Sequence, residues 1–319
     1  MDTRPKKMTD GRPCPFCEGK ESETPPEVYA LRPSGAADGP GWKVRAVPSK
    51  LPILSGDGTD TASHGEGIYD WREGMGRHEI VVETPRHGED LDALPVESLA
   101  DVLRVYLKRM RELEKDPRFA YGLLFKNHGL VSGAASDVIR HSRSQIIGFP
   151  IVPKRAKEEL SSARVYYERR ERCVFCDVLK QEALDGARTV VQNDAFFAFC
   201  PFASRSPFEM WILPKKHSSD FTRTEEAAVP PLAVVLKSCL SRLGSLLDDP
   251  PYNMILHTAP FRHAGQETHW KTLERDTHWY LQIMPRLTQN AGFEWGTGIH
   301  INPTPPEDAA ALLREAEAT

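Results

Sequence analysis

The chain has 319 residues, with 41 lysines and arginines against 45 aspartates and glutamates, so its formal net charge is −4. This balance is too neutral for a general nucleic-acid-binding protein, which neutralises phosphates with many basic side chains. The length predicts about two domains, or one large domain built from two similar halves. No run of about 18 apolar residues occurs, and the N-terminal stretch MDTRPKKMTDGRP holds no apolar segment. We therefore expect no membrane span, no targeting peptide and a cytoplasmic location.

The first half of the chain predicts strands around one amphipathic helix. Residues 18–76 are rich in proline and glycine, which indicates loops around a short extended segment. Alternating or continuous apolar runs predict strands, and apolar residues spaced by three and four predict helices. The predicted strands cover 42–47, 78–84, 121–127 and 144–152, and the predicted helices cover 95–116 and 155–172.

The second half repeats this order. Strands are predicted at 187–194, 195–200, 208–217, 252–258 and 278–284, a long helix at 229–247, and a tail helix after Pro305. Each half contains a CxxC pair, a strand that ends in proline and then histidine, a helix, a strand, and a last strand with His-x-x-x-Gln. An internal repeat is the economical interpretation. It divides the chain into residues 1–153 and 154–319.

Four of the six cysteines form the two CxxC pairs, CPFC and CVFC. In a cytosolic chain this arrangement favours metal or redox chemistry over a disulfide framework, whereas Cys200 and Cys239 lie in apolar segments typical of buried thiols. Zn²⁺ takes four nitrogen or sulfur ligands in a tetrahedron, and each CxxC pair has two histidines at matching places of the repeat. The sequence thus predicts two closed zinc sites. Their ligands are Cys14, Cys17, His87 and His141 in one half, and Cys173, Cys176, His217 and His278 in the other.

Two alternatives to zinc stay open at this point. The histidines would be ordinary polar residues if the cysteines were free thiols. A thioredoxin-like redox role is disfavoured, because neither CxxC pair lies in a predicted strand-CxxC-helix pattern.

Several stretches together resemble a known family. They occur in the order seen in galactose-1-phosphate uridylyltransferases and the related nucleotide-sugar phosphorylases of the histidine triad superfamily. The stretches are CPFC, GRHEIVVETPRH, LLFKNHGLVSGA, HSRSQ, PFEMWILPKKH, HWYLQIMPRL and AGFEWGTGIHINP. The resemblance implies an α+β fold of tandem histidine-triad-like halves, each an antiparallel sheet with packed helices. It also implies a homodimer, a nucleotide-sugar substrate, the first zinc site and a second metal site like that of the branch with CxxC in both halves.

The resemblance makes Arg143 the most informative residue of the chain. The family strand reads His-x-His-x-Gln, in which the first histidine binds zinc, the second attacks the α-phosphorus of a nucleotide sugar, and the glutamine contacts phosphoryl oxygens. Here these positions hold His141, Arg143 and Gln145. A guanidinium stays protonated and has no available lone pair, so Arg143 cannot be the nucleophile, although it is a good donor to phosphate. The loop before His141 also looks about three residues longer than in the family.

Other candidate site residues lie outside this strand. His128 is the first alternative nucleophile, and the cluster of His257, His263 and His269 is another. Asn127 and the turn from Gly129 to Gly133 are candidates for phosphate binding, since backbone N–H groups of glycine-rich turns bind anions. The resemblance alone adds Ser49, where the family commonly has asparagine, and Phe293 and Glu294, which match positions near the nucleotide or the partner subunit.

Two functions remain in competition at the sequence level. The first is an enzyme that cleaves or transfers at the α-phosphorus of a nucleotide sugar, with a second substrate or water as nucleophile and Arg143 stabilising charge. The second is a diverged scaffold that has lost nucleotidyl transfer and binds a ligand or catalyses other chemistry in the same pocket. Gln145 and Asn127 favour the first, and Arg143 with the longer loop favours the second.

Overall fold

The structure is a computed structural model that describes residues 14–54, 64–71, 73–133, 140–263, 270–289 and 291–317. Its strands are β1 (Tyr29–Leu31), β2 (Val44–Pro48), β3 (His64–Glu66), β4 (Tyr69–Trp71), β5 (Arg77–Val82), β6 (Tyr121–His128), β7 (Arg143–Phe149), β8 (Thr189–Gln192), β9 (Phe196–Phe199), β10 (Met210–Pro214), β11 (Tyr252–His257) and β12 (Tyr280–Pro285). Its helices are α1 (Val96–Glu114), α2 (Lys154–Arg170), α3 (Val174–Asp185), α4 (Val229–Leu247), α5 (Leu273–Asp276), α6 (Gly292–Thr297) and α7 (Pro306–Glu315).

Ten strands form one continuous sheet in the order β1-β2-β5-β7-β6-β11-β12-β10-β9-β8. Every neighbouring pair in it is antiparallel. The order is a palindrome of equivalent elements, in which β7 of the first half matches β12 of the second and β6 matches β11. The two repeats therefore meet edge to edge, with Asn127 opposite Asn253 at the seam. The α+β fold predicted from the resemblance is confirmed, and β3 and β4 form a separate hairpin.

The two faces of the sheet follow from strand pairing. Successive side chains of a strand point to opposite faces, and paired residues share a face. In β7 the side chains of Ser144 and Ile146 are buried against α1, whereas Arg143 and Gln145 are only partly buried. We call the first the helix face and the second the site face. Because Phe125 pairs with Gln145, Phe125 and Asn127 also belong to the site face.

The helix face carries the main core. Helix α1 buries a stripe spaced by three and four that includes Leu99, Leu103, Tyr106, Met110 and Leu113. Helix α4 packs beside it, and one core cluster joins residues of both halves. The stretch Glu226–Leu247 has the length and mean hydropathy of a membrane-spanning helix, and half of it is buried inside the fold. The division into 1–153 and 154–319 stays a prediction.

The site face is covered differently in the two halves. In the second half, Cys173, Phe175 and Leu179 pack with Phe197 and Tyr280 in an apolar cluster. Helix α3, which contributes Phe175 and Leu179, was not predicted from the sequence, because its N-cap residue, Cys173, is not a favoured capping residue. In the first half, a smaller cluster of Trp42, Val47, Ile80 and Val82 packs against Phe16.

Candidate functional site

The structure brings together the four ligands predicted for the first metal site. Cys14 and Cys17 lie in a turn, His87 follows β5, and His141 precedes β7. Their ligand atoms all lie within 4.8 Å of one another. Sγ of Cys17 is 3.6 Å from Nδ1 of His87 and 3.7 Å from Nδ1 of His141. We call this group the first Cys/His cluster.

Hydrogen bonds outside the cluster orient its buried histidine. Nε2 of His141 lies 2.6 Å from the carbonyl oxygen of Thr84, which can only accept a hydrogen bond. Nε2 therefore carries the proton and Nδ1 presents its lone pair to the two thiols. Burial lowers the pKa of His141, so the ring is neutral, as a metal ligand must be.

The second Cys/His cluster repeats this arrangement with Cys173, Cys176, His217 and His278, whose ligand atoms also lie within 4.8 Å of one another. Sγ of Cys176 is 3.2 Å from Nδ1 of His217 and 3.7 Å from Nδ1 of His278. Both Nε2 atoms again face carbonyl oxygens, those of Glu274 and Pro214. Both clusters can hold a metal ion.

Arg143 lies on the site face directly beside the first Cys/His cluster. It is two residues from His141, and its Nη1 donates to the carbonyl oxygen of His141 at 3.1 Å. Its guanidinium carbon is 5.6 Å from the ring centroid of Phe16, within the distance of a cation–π contact. Burial lowers the pKa of Arg143 from its ordinary value, but a guanidinium remains protonated at neutral pH.

Gln145 is held by a histidine that the sequence analysis missed. Nε2 of His78, on β5, lies 2.9 Å from Oε1 of Gln145, and Nδ1 of His78 accepts the backbone N–H of Ile53 at 3.2 Å. Burial lowers the pKa of His78. Ser49 lies next to this histidine, because its N–H donates to the His78 carbonyl at 2.9 Å. The sequence signal for His78 was its place in the predicted strand, where a polar residue shares a face with Ile80 and Val82.

A buried polar network on the helix face holds β7 in place on the side opposite Arg143 and Gln145. Glu83 is fully buried and accepts hydrogen bonds from Ser142 at 2.6 Å and from Ser144 at 2.5 Å. Lys126 reaches the same carboxylate at 2.7 Å, and Tyr106 donates to it at 2.5 Å. Both charges are thus paired and hydrogen-bonded, as burial requires. The alternation of the two serines with His141, Arg143 and Gln145 was the sequence signal for this network.

Asn127 shares the site face with Arg143, but its amide is used inside the protein. Its Nδ2 donates to the carbonyl oxygen of Gly133 at 3.3 Å, and its Oδ1 accepts from Asn253 at 2.8 Å. The N–H of Gly133 donates to the carbonyl of Leu130 within the turn. This geometry makes Asn127 an anchor of the turn at the seam. Phosphate binding by Asn127 and Gly133 stays a prediction, since the hydrogen bonds described for these two residues are made within the protein.

His128 points to the opposite face from Arg143, because it is one residue from Asn127 on β6. Its Nε2 lies 2.6 Å from Oδ1 of Asp249 and its Nδ1 3.6 Å from Oδ1 of Asp90, while its ring stacks on Tyr252. Burial alone lowers the pKa of His128, but the two carboxylates outweigh it and raise the pKa to about 9. A protonated ring on the helix face is poorly suited to attack phosphorus on the site face, so the geometry disfavours His128 as the nucleophile.

The raised pKa of His128 predicts a pH dependence of stability. The folded-state pKa lies above the ordinary value, so the ion pairs stabilise the fold fully below about pH 6.5 and are lost as the pH rises through about 9. We expect the free energy of unfolding of the wild type to exceed that of His128→Gln by about 1–2 kcal/mol at pH 6, since Asp249 is solvent-screened. The difference should shrink towards pH 9.5. Urea unfolding at both pH values measures it, and equal differences would contradict the assignment.

The remaining candidates lie away from this strand. Phe293 and Glu294 belong to α6, and their hydrogen bonds stay within that helix and its cap. His257 contacts Gln282 and Glu159 in the second half. His263 bonds to the carbonyl of Phe119. His269 and the long loop at 134–139 lie outside the described residues.

The sequence is similar to known proteins over most of its length. The family model described as galactose-1-phosphate uridyl transferase, C-terminal domain, matches residues 159–288, and the N-terminal domain of a family of unknown function, DUF4931, matches residues 75–152. An ADP-glucose phosphorylase of Arabidopsis thaliana is 33% identical over 307 residues, which cover 96% of this chain and 82% of that protein. A galactose-1-phosphate uridylyltransferase of Thermotoga maritima is 30% identical over 276 residues, covering 84% and 83%.

Solved structures show the same relationship. The crystal structure of an ADP-glucose phosphorylase from Arabidopsis thaliana with bound ADP-glucose superposes with a TM-score of 0.82 at 33% identity, covering 99% of this chain and 93% of that one. A structure described as uridylyltransferase gives a TM-score of 0.80 at 30% identity, with coverage of 98% and 94%. These relatives are nucleotidyltransferases that act on nucleotide sugars. By sequence and by fold, the chain belongs to the galactose-1-phosphate uridylyltransferase family.

Proposed function

We propose that the protein binds a nucleotide sugar on the site face of its first half and transfers the nucleotidyl group by direct displacement at the α-phosphorus. The observation that carries this proposal is the position of Arg143 and Gln145. They lie two residues apart on one face of β7, beside the first Cys/His cluster, and present a guanidinium and an amide on the same side. Relatives of this chain are named for ADP-glucose and for galactose 1-phosphate, so ADP-glucose and UDP-glucose are the first substrates to test.

The proposed reaction needs no nucleophile from the protein. An oxygen of inorganic phosphate or of a hexose 1-phosphate attacks the α-phosphorus, and the bond between that phosphorus and the bridging oxygen to the β-phosphate breaks. With ADP-glucose and phosphate, the products are ADP and glucose 1-phosphate, and the leaving phosphate takes the electron pair. Arg143 neutralises charge on the reacting phosphoryl group, and a fixed cation in a partly buried site stabilises developing negative charge well. Kinetics should therefore require both substrates together.

We propose zinc as the metal of both Cys/His clusters. Zinc bonds of about 2.3 Å to sulfur and about 2.0–2.1 Å to nitrogen place tetrahedral sulfur and nitrogen ligands about 3.6 Å apart. The distances in the first cluster are 3.6 and 3.7 Å, so its donor set fits without rearrangement. In the second cluster they are 3.2 and 3.7 Å, so zinc would require Sγ of Cys176 and Nδ1 of His217 to move apart by about 0.4 Å. Four protein ligands leave no open position, and zinc in such a site supplies folding energy and fixes the ends of β5 and β7.

Gln145 gives a direct test of where the nucleotide phosphates bind. Replacing it with alanine should weaken ADP-glucose or UDP-glucose binding by about 1–3 kcal/mol, because a phosphoryl oxygen loses a hydrogen bond in a partly buried site. Calorimetry of wild type and variant measures the change. Gln282→Ala is the matched control, since this residue occupies the equivalent position in the second half. Equal affinity of wild type and Gln145→Ala for a bound nucleotide would remove Gln145 from the site.

A second candidate function is binding without nucleotidyl transfer. It is favoured by the contacts of Arg143 with Phe16 and with the His141 carbonyl, which hold part of the guanidinium inside the protein. Binding of a sugar nucleotide in calorimetry, without product formation when phosphate or hexose 1-phosphate is added, would favour this function over transfer.

We also propose a cytoplasmic homodimer. The segment around α6 exposes several large apolar side chains that a second copy would bury: Leu287, Phe293, Trp295, Ile299 and Ile301. This placement would give Phe293 and Glu294 a role towards the partner subunit. Light scattering of the purified protein tests it, and a monomer at micromolar concentration would reject it.

A further inference from the structure

The ring of His78 links the backbone of Ile53 to the side chain of Gln145. The ring of His78 has two nitrogens, and both are engaged: Nδ1 is 3.2 Å from the backbone nitrogen of Ile53, and Nε2 is 2.9 Å from the amide of Gln145. His78 is buried, and Gln145 is half-buried with one side towards the site face.

The backbone N–H of Ile53 fixes the direction of both hydrogen bonds of the His78 ring. A backbone N–H can only donate, so Nδ1 of His78 must accept and cannot carry a proton. The neutral ring then carries its proton on Nε2 and donates to Gln145. Gln145 must therefore present its carbonyl oxygen to His78, and its NH₂ group faces away from the histidine. Among the described residues, this NH₂ group has no hydrogen-bond partner.

We infer that His78 is a positioning residue that locks the amide of Gln145 with its NH₂ group towards the phosphates of the bound nucleotide. This inference rests on the proposed function and adds to it the reason why a neutral amide selects an anion. A glutamine that is free to turn by 180° presents either a donor or an acceptor, and the acceptor repels a phosphoryl oxygen. With the carbonyl oxygen held by His78, only the donor orientation remains.

The second half of the chain provides an internal comparison. Nε2 of His257 lies 2.9 Å from Oε1 of Gln282, so the equivalent glutamine also contacts a histidine, although His257 comes from β11, the counterpart of β6, and His78 comes from β5. There, however, the amide nitrogen of Gln282 donates to Glu209 at 2.6 Å. Tyr280 occupies the position of Arg143, and its hydroxyl donates a hydrogen bond to Glu159 at 3.1 Å. The donor is used inside the protein and carboxylates surround it, so this copy of the pair does not select phosphate.

The test is a double-mutant cycle read by ADP-glucose affinity in calorimetry. His78→Phe keeps the ring volume and removes the donor, and it should weaken binding about 3- to 30-fold. His78→Phe combined with Gln145→Ala should bind no more weakly than Gln145→Ala alone, within about twofold, because His78 acts only through Gln145. His78→Gln supplies a donor and an acceptor again and should recover most of the affinity. His257→Phe removes the histidine that contacts Gln282 in the second half, and as a control it should leave affinity unchanged.

Additive losses in the double variant, or no rescue by His78→Gln, would show that His78 acts as a general support of the fold and would overturn the inference. The histidine tautomer provides a second measurement that needs no ligand. In the full-length protein labelled with ¹⁵N-histidine, the His78 ring, identified by its absence in His78→Phe, should carry its proton on Nε2. A proton on Nδ1 would overturn the inference even if ADP-glucose binds. Failure of ADP-glucose and UDP-glucose to bind, with the Nε2 tautomer present, would reject the proposed function and leave the orientation of Gln145 established.

Discussion

Arg143→His is expected to form a covalent nucleotidyl adduct that the wild-type protein does not form. The side chain at 143 lies on the site face, two residues from His141 and two from Gln145, at the position that the resemblance assigns to the nucleophile. A neutral imidazole there has the lone pair that a guanidinium lacks. Intact-mass spectrometry after incubation with ADP-glucose or UDP-glucose should show an added nucleotide monophosphate on the variant and an unmodified wild type.

The control for this experiment is Arg143→Ala, which removes the guanidinium without adding a nucleophile and should stay unmodified. An adduct on the wild type would show that another residue attacks phosphorus, and His128→Gln would then identify or exclude the first candidate. An unmodified Arg143→His variant that still binds the sugar nucleotide would show that the pocket no longer aligns the phosphorus, which favours the binding function. Isotope exchange between labelled glucose 1-phosphate and ADP-glucose, in the absence of phosphate, should likewise occur only with Arg143→His.

Cys173→Ser is expected to lose one metal ion per chain and about 3–5 kcal/mol of stability, the upper range for a single substitution. The second Cys/His cluster joins the start of α3 to the segment after β10 and to His278, two residues before β12. The binding energy of a structural metal is folding energy, so its loss should loosen all three connections. Elemental analysis and urea unfolding measure the two effects, with two zinc ions per chain expected in the wild type.

Cys239→Ala is the matched control for this prediction, because Cys239 is buried on α4 and lies outside both clusters. It should keep both metal ions and lose only the smaller energy of a core substitution. Fewer than one zinc per chain in the wild type, or an unchanged unfolding transition of Cys173→Ser, would show that the second cluster is not a structural metal site.

Sequence patterns were most informative where they depend on spacing. The CxxC pairs and the histidines at matching repeat positions identified both sets of ligands that the structure brings together. Period-two alternation placed His141, Arg143 and Gln145 on one side of a strand, and the strand order confirms the internal repeat. These features depend on covalent spacing along one element or on comparison of the two repeats, so no knowledge of long-range packing was needed.

Helix α3 shows where such patterns fail. Its first turn holds the CVFC motif, and neither Cys173 nor the following residues form a recognisable capping sequence. The fusion of the two halves into one sheet was also not predicted, because the seam between β6 and β11 is set by backbone hydrogen bonds between distant strands. His128 was a plausible nucleophile from its neighbours in sequence, and only the strand register shows that it points to the opposite face.

The sequence alone therefore determined which cysteines and histidines meet in the two clusters, the repeat and the presence of arginine at position 143, because residue identity and local spacing decide these. Tertiary structure alone decided which groups surround them. Lys126 of β6 meets Glu83, which follows β5, on the helix face of the sheet. His78 reaches Gln145 on a neighbouring strand, and its Nδ1 accepts a hydrogen bond from the backbone N–H of Ile53. A backbone N–H is the same in every residue but proline, so its position, and with it the direction of the His78–Gln145 hydrogen bond, has no signature in the sequence.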